Sequence, residues 1–150
     1  MFYTVGEMAK RLGVPASTLR YYDKEGLLPF VERSKSGIRM FRESDFEWLK
    51  VIGCLKKTGM PLAEIRCFIE MAMKGDETIE DRLELILRQK QSVEEQIDEL
   101  NRTLEILEFK EWYYQTAKKA GTTAVPREMS PEKLPERFRE TRKRLRGETE

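Results

Sequence analysis

Histidine is absent from this chain of 150 residues, and cysteine occurs only twice, as Cys54 and Cys67. The absence of imidazole removes the commonest general base of enzymes and a frequent metal ligand. The two thiols lie on different predicted helices, too far apart in sequence for a thiolate metal site. A glycine-rich phosphate loop and a nucleophile motif are also missing. We therefore expect no metal, no cofactor and no enzymatic activity.

Long apolar segments are missing as well. No run approaches the ~20 apolar residues that cross a membrane, and the N-terminus lacks the basic-then-apolar pattern of a secretory signal. Few cysteines and no export signal predict a location in the reducing cytoplasm. The 7 Phe, 5 Tyr and 2 Trp are enough for a small core, although 37% of the residues are charged.

The charges that are present are unevenly distributed. The formal net charge is +1 overall, but it is +4 over residues 1–60, −5 over residues 61–120 and +2 over residues 121–150. A basic first part followed by an acidic middle is typical of a DNA-binding module joined to an oligomerisation helix.

Two short helices joined by a tight turn are predicted between Thr4 and Leu28. Thr4 with Glu7 three residues later forms a capping-box sequence, and Gly13 suits the left-handed residue that ends a helix. On a helical wheel the second helix turns Leu19 inward. It presents a polar row on the opposite side: Ser17, Arg20, Tyr21 and Lys24. This pattern is typical of a helix that enters the DNA major groove.

A short hairpin is predicted next. Phe30 and Val31 begin one strand, Ser34–Gly37 form the turn, and Ile38–Phe41 return. The segment carries four cations: Arg33, Lys35, Arg39 and Arg42. It is either a wing that lies along the phosphate backbone or a solvated loop, and its position after a helix-turn-helix favours the wing.

Two further helices complete the first unit. Ser44 is placed to cap a third helix, which Gly59 ends. Pro61 opens a fourth helix, which ends near Gly75. Their predicted apolar faces are formed by Trp48, Val51, Ile52 and Leu55, and by Leu62, Ile65, Phe68 and Ile69.

A heptad pattern begins near Thr78. Steps of three and four residues run from Ile79 to Tyr114, and the polar residues Lys90 and Glu111 fall within the row. A narrow apolar stripe on a charged helix needs a partner helix, because folding back over its own domain accounts only for the first two turns. The pattern predicts a homodimer through a seam of Leu83, Ile86, Val93, Ile97, Leu100, Leu104 and Leu107.

The end of the chain is predicted to be less ordered. A loop covers Gly121–Pro126, a helix start lies near Ser130, and Pro135 costs that helix an early hydrogen bond. The dense charge that follows predicts a solvated or frayed helical tail. The expected organisation is a winged helix-turn-helix domain at 1–75, a coiled-coil helix at 76–120, and a charged tail or short helix at 121–150.

The first half of the chain resembles the N-terminal domain of MerR-family transcriptional regulators. The resemblance rests on TVGEMAKRLGV, STLRYYDKEGLL, SGIRMF with Arg33 before it, SDFEWLKVI and KKTGMPLAEI, in the family's order and spacing. It implies a mainly all-α fold: a winged helix-turn-helix domain with a small β-hairpin wing, then a long dimerising coiled-coil helix. It also implies a homodimer that binds a palindromic operator in an overlong promoter spacer. Distortion of that spacer then brings the promoter elements into register for RNA polymerase.

The resemblance assigns DNA contacts residue by residue. They fall on Ser17, Thr18, Arg20, Tyr21 and Tyr22 of the second helix, on Arg33, Gly37 and Arg39 of the wing, and on Lys56. The wheel adds Lys24 and places Tyr22 on the inward side. Arg20 is the best candidate for a bidentate guanine contact. Ile38 stands where the family usually has tyrosine, so we expect no phosphate contact from that side chain.

The signal is less defined. Metal-sensing members carry cysteines at the two ends of the dimerisation helix, where this chain has none. Cys54, together with SGIR and Trp48, resembles the AdhR- and NmlR-like branch, which responds to aldehydes or nitrosative stress through one thiol. The alternative is a buried Cys54 without reactivity, and Cys67 is predicted to pack. The Trp112–Tyr114 cluster either lines a site for an apolar effector or caps the coiled coil.

These patterns favour a DNA-binding transcriptional regulator. The alternative is a non-specific architectural protein that dimerises and has no effector. A regulator is expected to prefer its operator over random DNA by a factor of ~10³ or more, whereas an architectural protein is not.

Overall fold

The computed structural model describes residues 1–148 and is mainly helical. The elements are β1 (Phe2–Tyr3), α1 (Val5–Leu12), α2 (Ala16–Lys24), β2 (Glu32–Arg33), β3 (Arg39–Arg42), α3 (Asp45–Lys57), α4 (Leu62–Lys74), a 3₁₀ turn (Asp76–Thr78), α5 (Ile79–Ala120), α6 (Ala124–Glu128) and α7 (Glu136–Arg146). The chain divides within α5 into two compact units, Met1–Val93 and a second that begins at Glu94. The predicted fold class is confirmed.

The helix-turn-helix forms as its local sequence predicts. The Glu7 N–H donates to Thr4 Oγ1 at 3.3 Å and the Thr4 N–H donates to Glu7 Oε2 at 2.7 Å, which completes the capping box. Gly13 ends α1 with φ 68°, a value that costs other residues free energy. Leu19, only 1% exposed, joins Met8 and Ala9 in the core.

The wing contains one more strand than the sequence predicts. β3 pairs with β2 through Arg33 and Arg39, and also with β1, where Tyr3 lies opposite Phe41. The order is β1-β3-β2. Phe30 and Val31 lie outside the strands, contrary to the prediction. Phe41 is fully buried, so the sheet is anchored through its central strand.

Helices α3 and α4 supply most of the remaining core. The predicted cap at Ser44 is wrong in one respect, because the Ser44 side chain makes no capping hydrogen bond. The neighbouring Asp45 is buried, and its Oδ2 accepts from the Arg42 N–H at 2.7 Å, joining β3 to α3. The predicted inward residues Ile52, Leu55, Ile65 and Ile69 are buried.

The predicted long helix is present as α5. Its first turns pack on the first unit, because Leu85 is buried in the same core as Ile65. α5 ends at Ala120, and Gly121 follows with φ 73°. No helix in residues 1–148 has both the length and the apolar composition that crossing a membrane requires.

The segment after α5, described as far as residue 148, is folded rather than frayed. α7 begins directly after Pro135, so the proline costs no helical hydrogen bond. Leu134 and Phe138 are buried against Phe109 of α5, with the two phenyl centroids 5.7 Å apart. Arg144 forms an ion pair with Glu105 at 3.0 Å. The loop predicted over Gly121–Pro126 contains the start of the short helix α6.

Candidate nucleic-acid interface

Helix α2 presents the predicted polar row to solvent. Its four members are exposed: Ser17, Arg20, Tyr21 and Lys24. Thr18 is half-buried at the edge of this row. Because the row lies opposite the buried Leu19, a duplex can approach it without disturbing the core.

Tyr22 lies on the inward side of α2, as the helical wheel predicts. Its side chain is 6% exposed, and burial, followed by the nearby Tyr21, raises the pKa of its phenol. The hydroxyl therefore remains protonated at neutral pH and can donate a hydrogen bond where it reaches the surface.

Lys56 of α3 lies over α2, the candidate recognition helix of the helix-turn-helix. Its ammonium nitrogen is 5.1 Å from the Tyr21 ring centroid and 5.2 Å from that of Tyr22. Cation–π attraction over two rings limits the freedom of a flexible side chain. The structure thus brings Lys56 beside the α2 row, 35 positions away in sequence.

The wing is held against α2 by ionic hydrogen bonds. Arg33 Nη2 and Arg39 Nε both donate to Asp23 Oδ2, each at 2.7 Å. Arg33 Nη1 also donates to the Gly37 carbonyl at 3.1 Å. Gly37, with φ 81°, supplies the left-handed residue that the hairpin turn requires. The predicted wing residues thus lie beside the C-terminal end of α2.

Several cations of this surface make no ion pair within residues 1–148. Arg20 and Lys24 of α2 and Lys35 of the wing have no carboxylate partner there. By contrast, Arg42 pairs with Glu32 across the hairpin. Unpaired cations on one face provide the sequence-independent attraction to phosphates.

Sequence reasoning missed two acidic residues that organise this surface, Asp23 and Glu43. Glu43 accepts from Arg11 at 2.6 and 2.7 Å and from the Tyr3 hydroxyl at 2.8 Å. These hydrogen bonds, that of Arg11 foremost, lower the pKa of the Glu43 carboxyl to about 2. Asp23 was visible only as an isolated acid within a basic helix.

Both thiols are exposed. For Cys54 this contradicts burial, while its reactivity stays a prediction. It borders a cavity of about 250 Å³ whose wall includes Leu19 and Tyr22 of α2. For Cys67 the prediction of packing is wrong. Cys67 is two positions from both Ile65 and Ile69, roughly 200° around α4, and therefore faces away from the core.

The predicted seam of α5 is largely uncovered in the single chain. Leu100 is the most exposed member at 67%, and Val93 is half-buried. The other members are all exposed: Leu83, Ile86, Ile97, Leu104 and Leu107. Within the second unit, α7 contacts α5 at Glu105 and Phe109. At about 100° per residue, Glu105 and Phe109 lie roughly 120° and 160° from the mean direction of the neighbouring seam residues, so α7 leaves the seam open.

Two family models match the chain. One, described as the MerR HTH family regulatory protein, covers residues 3–71. The other, described as MerR, DNA binding, covers residues 46–108. Together they span the helix-turn-helix, the wing, α3, α4 and much of α5.

The chain is also similar in sequence to known HTH-type transcriptional regulators. The chain is 48% identical over 122 residues to an uncharacterised HTH-type transcriptional regulator of Haemophilus influenzae, covering 81% of this chain and 90% of that protein. It is 34% identical over 87 residues to the HTH-type transcriptional regulator AdhR of Bacillus subtilis, covering 58% of this chain and 62% of AdhR.

A solved structure is also similar. HiNmlR, a MerR family regulator lacking the sensor domain, has been crystallised bound to promoter DNA. The two chains are 47% identical with a TM-score of 0.71, and the match covers 83% of this chain and 99% of HiNmlR.

Proposed function

Since this chain belongs to the MerR family of DNA-binding transcriptional regulators, we propose that it acts as a homodimer on a palindromic operator within a promoter spacer. One observation carries this proposal. A cation-rich helix-turn-helix and wing, and an uncovered apolar seam, occur in the same chain. The first needs a polyanion and the second needs another helix.

The DNA contacts divide by chemistry. Arg20, exposed on α2 and without an ion pair in residues 1–148, reads a guanine through its two-pronged guanidinium. Ser17, Thr18, Tyr21 and Lys24 contact the groove edge and backbone, and Tyr22 contributes only its hydroxyl. The wing and Lys56 contact phosphates and supply the salt dependence of binding.

The dimer is proposed to be antiparallel and centred on Leu100. In that register Val93 faces Leu107 and Ile97 faces Leu104. The two polar seam residues, Lys90 and Glu111, then lie about equally far from the centre and face each other as opposite charges. Parallel pairing would place Lys90 against Lys90 and Glu111 against Glu111, which charge repulsion disfavours.

The output is control of transcription by DNA distortion. HiNmlR, which is similar to this chain, binds promoter DNA. The family resemblance implies that the promoter spacer is too long for RNA polymerase until the regulator bends and untwists it. Such distortion costs a few kcal/mol, which a dimer's backbone contacts can supply. The proposed role is regulatory and not enzymatic.

The input is proposed to be a small electrophile that reacts with Cys54. Similarity to AdhR and HiNmlR supports this, as does the exposure of the thiol beside a cavity that α2 helps to line. Trp112 and Tyr113 are half-buried in the cluster formed by Phe109 and Phe138. This supports an aromatic cap on the coiled coil over an apolar effector site for these two residues, whereas Tyr114 is exposed.

The experiment is a comparison of operator and random duplex at the same salt concentration. The candidate operator is a palindrome in the promoter spacer nearest to the gene. We expect a preference of ~10³ or more for the operator. Leu100→Asp should give monomers in sedimentation and weaken operator binding, whereas Asn101→Asp, one position away, should remain dimeric. Equal binding to both duplexes would instead indicate the architectural alternative.

A further inference from the structure

Asp23 occupies a position that no DNA-contact assignment includes. It lies in the last turn of α2, and its single oxygen Oδ2 accepts hydrogen bonds from two neighbouring strands of the wing, β2 and β3. The partners are Arg33 of β2 and Arg39 of β3. The side chain of Asp23 is 19% exposed and that of Arg39 is 25% exposed, so their pair is shielded from much of the solvent. Arg33 is more open, with 51% of its side chain exposed.

The two arginines are used differently. Arg33 donates through both of its terminal nitrogens, Nη2 to Asp23 and Nη1 to the Gly37 carbonyl. It therefore links α2 to the turn of the hairpin. Arg39 donates only through Nε, and its two terminal nitrogens make no hydrogen bond within residues 1–148. In a planar, rigid guanidinium held at Nε, one terminal N–H points to the same side as the Nε–H, and the other three terminal N–H groups point away from the partner.

We infer that Asp23 is a positioning residue that fixes the wing to the recognition helix and directs the terminal nitrogens of Arg39 at a DNA phosphate. Arg33 is then a structural brace and Arg39 the phosphate ligand. This inference rests on the proposed DNA interface and assigns different roles to two wing arginines that the sequence presents as equivalent.

Two opposing effects decide the sign of an Asp23 substitution. A carboxylate near DNA repels phosphates, and its removal would tighten binding. However, Asp23 is neutralised by two cations, and its remaining repulsion is screened by salt within about 10 Å. Loss of Asp23 would free the side chains of Arg33 and Arg39. DNA binding would then have to order both side chains, and the lost conformational entropy would weaken binding. We expect the second effect to dominate.

The test uses the full chain and a fluorescent operator duplex, titrated across a range of salt concentrations. Asp23→Asn, which removes the charge while keeping the shape, should weaken binding by about tenfold. Arg39→Ala should weaken binding and reduce the slope of log K against log salt by about 0.9, the value for one lost phosphate contact. Arg33→Ala should weaken binding without changing that slope. Glu70→Gln, an exposed acid on α4, is the charge-matched control and should bind like the unmodified chain.

The double variant separates positioning from simple loss of stability. Asp23→Asn combined with Arg39→Ala should weaken binding by less than the sum of the two single losses, because part of the effect of Asp23 passes through Arg39. Fully additive losses would overturn the inference. If Asp23→Asn fails to fold in a thermal melt, Arg39→Lys replaces it. That variant keeps the charge but lacks Nε, so binding should weaken while the salt slope is retained.

The outcomes distinguish this inference from the interface on which it rests. Wild-type or tighter binding by Asp23→Asn, together with weakened binding by Arg39→Ala, would refute the role of Asp23 and leave the interface intact. Unchanged binding by Arg39→Ala would refute the wing contact itself.

Discussion

The side-chain amide of Gln89 on α5 donates to both the carbonyl oxygen and the hydroxyl of Thr58, each at 2.9 Å. Thr58 ends α3, and its own N–H donates to the carbonyl of Cys54 at 3.2 Å. Gln89 thus joins α3, which carries the candidate sensor Cys54, to α5, the helix proposed to dimerise. Leu85, one turn before Gln89, is buried in the same core and holds α5 in place.

Replacing Gln89 should separate signal from DNA binding. Gln89→Ala removes both hydrogen bonds to Thr58, so a change at Cys54 is transmitted less effectively to α5. We expect operator affinity without effector to stay within a few-fold of wild type and aldehyde-dependent induction to fall severalfold in a promoter reporter. Gln115→Ala, at an exposed position of the same helix, is the control. Undiminished induction in Gln89→Ala would exclude this route.

Arg20 should carry sequence preference. Arg20→Ala removes the proposed bidentate guanine contact, worth about 1–3 kcal/mol of discrimination. The operator-to-random affinity ratio should fall by roughly 10- to 100-fold while sedimentation still reports a dimer. Lys118→Ala, a distant exposed cation, should leave the ratio unchanged. An unaltered footprint for Arg20→Ala would count against the groove assignment.

The register of the seam can be tested by exchanging charges. Lys90→Glu should place two acids opposite each other, and Glu111→Lys two bases, so each single variant should raise the dimer dissociation constant. The double variant restores opposite charges at the paired positions, so its dimer dissociation constant should return toward that of wild type. Analytical ultracentrifugation measures all three variants. Failure of the double variant to recover, with Leu100→Asp still monomeric, would reject the register while keeping the dimer.

Cys54 and Cys67 form an internal pair of test and control, because both thiols are exposed. Cys54→Ser should abolish aldehyde-dependent induction and spare operator binding. Cys67→Ser should respond like wild type. Mass spectrometry of the treated protein should locate the adduct on Cys54. Normal aldehyde-dependent induction in Cys54→Ser would show that the Cys54 thiol is not the sensor.

Local patterns predicted the helices well. The capping box at Thr4, the glycine stop at Gly13 and the heptad row of α5 depend on residues within one or two turns of each other. Interactions between residues so close in sequence can be recognised from their spacing. The helix-turn-helix, its polar row and the seam of α5 were therefore predictable. The family resemblance then indicated which of these features form the DNA interface.

Long-range contacts were not predictable in the same way. β1 has only two residues and no periodicity of its own, so its pairing with β3 depends on where α1 directs it. The segment that contains α7 looked like a charged tail, because its apolar residues Leu134 and Phe138 meet their partner Phe109 only after the chain reverses.

Which helices form and which of their faces are polar can be predicted from the residues alone, because short-range hydrogen bonding and helical periodicity decide both. The binding of Asp23 to two wing arginines and of Gln89 to Thr58 follows from the folded structure instead. Each of these contacts joins elements whose proximity comes from packing of the whole core. The spacing of these residues along the chain does not predict that they lie close together.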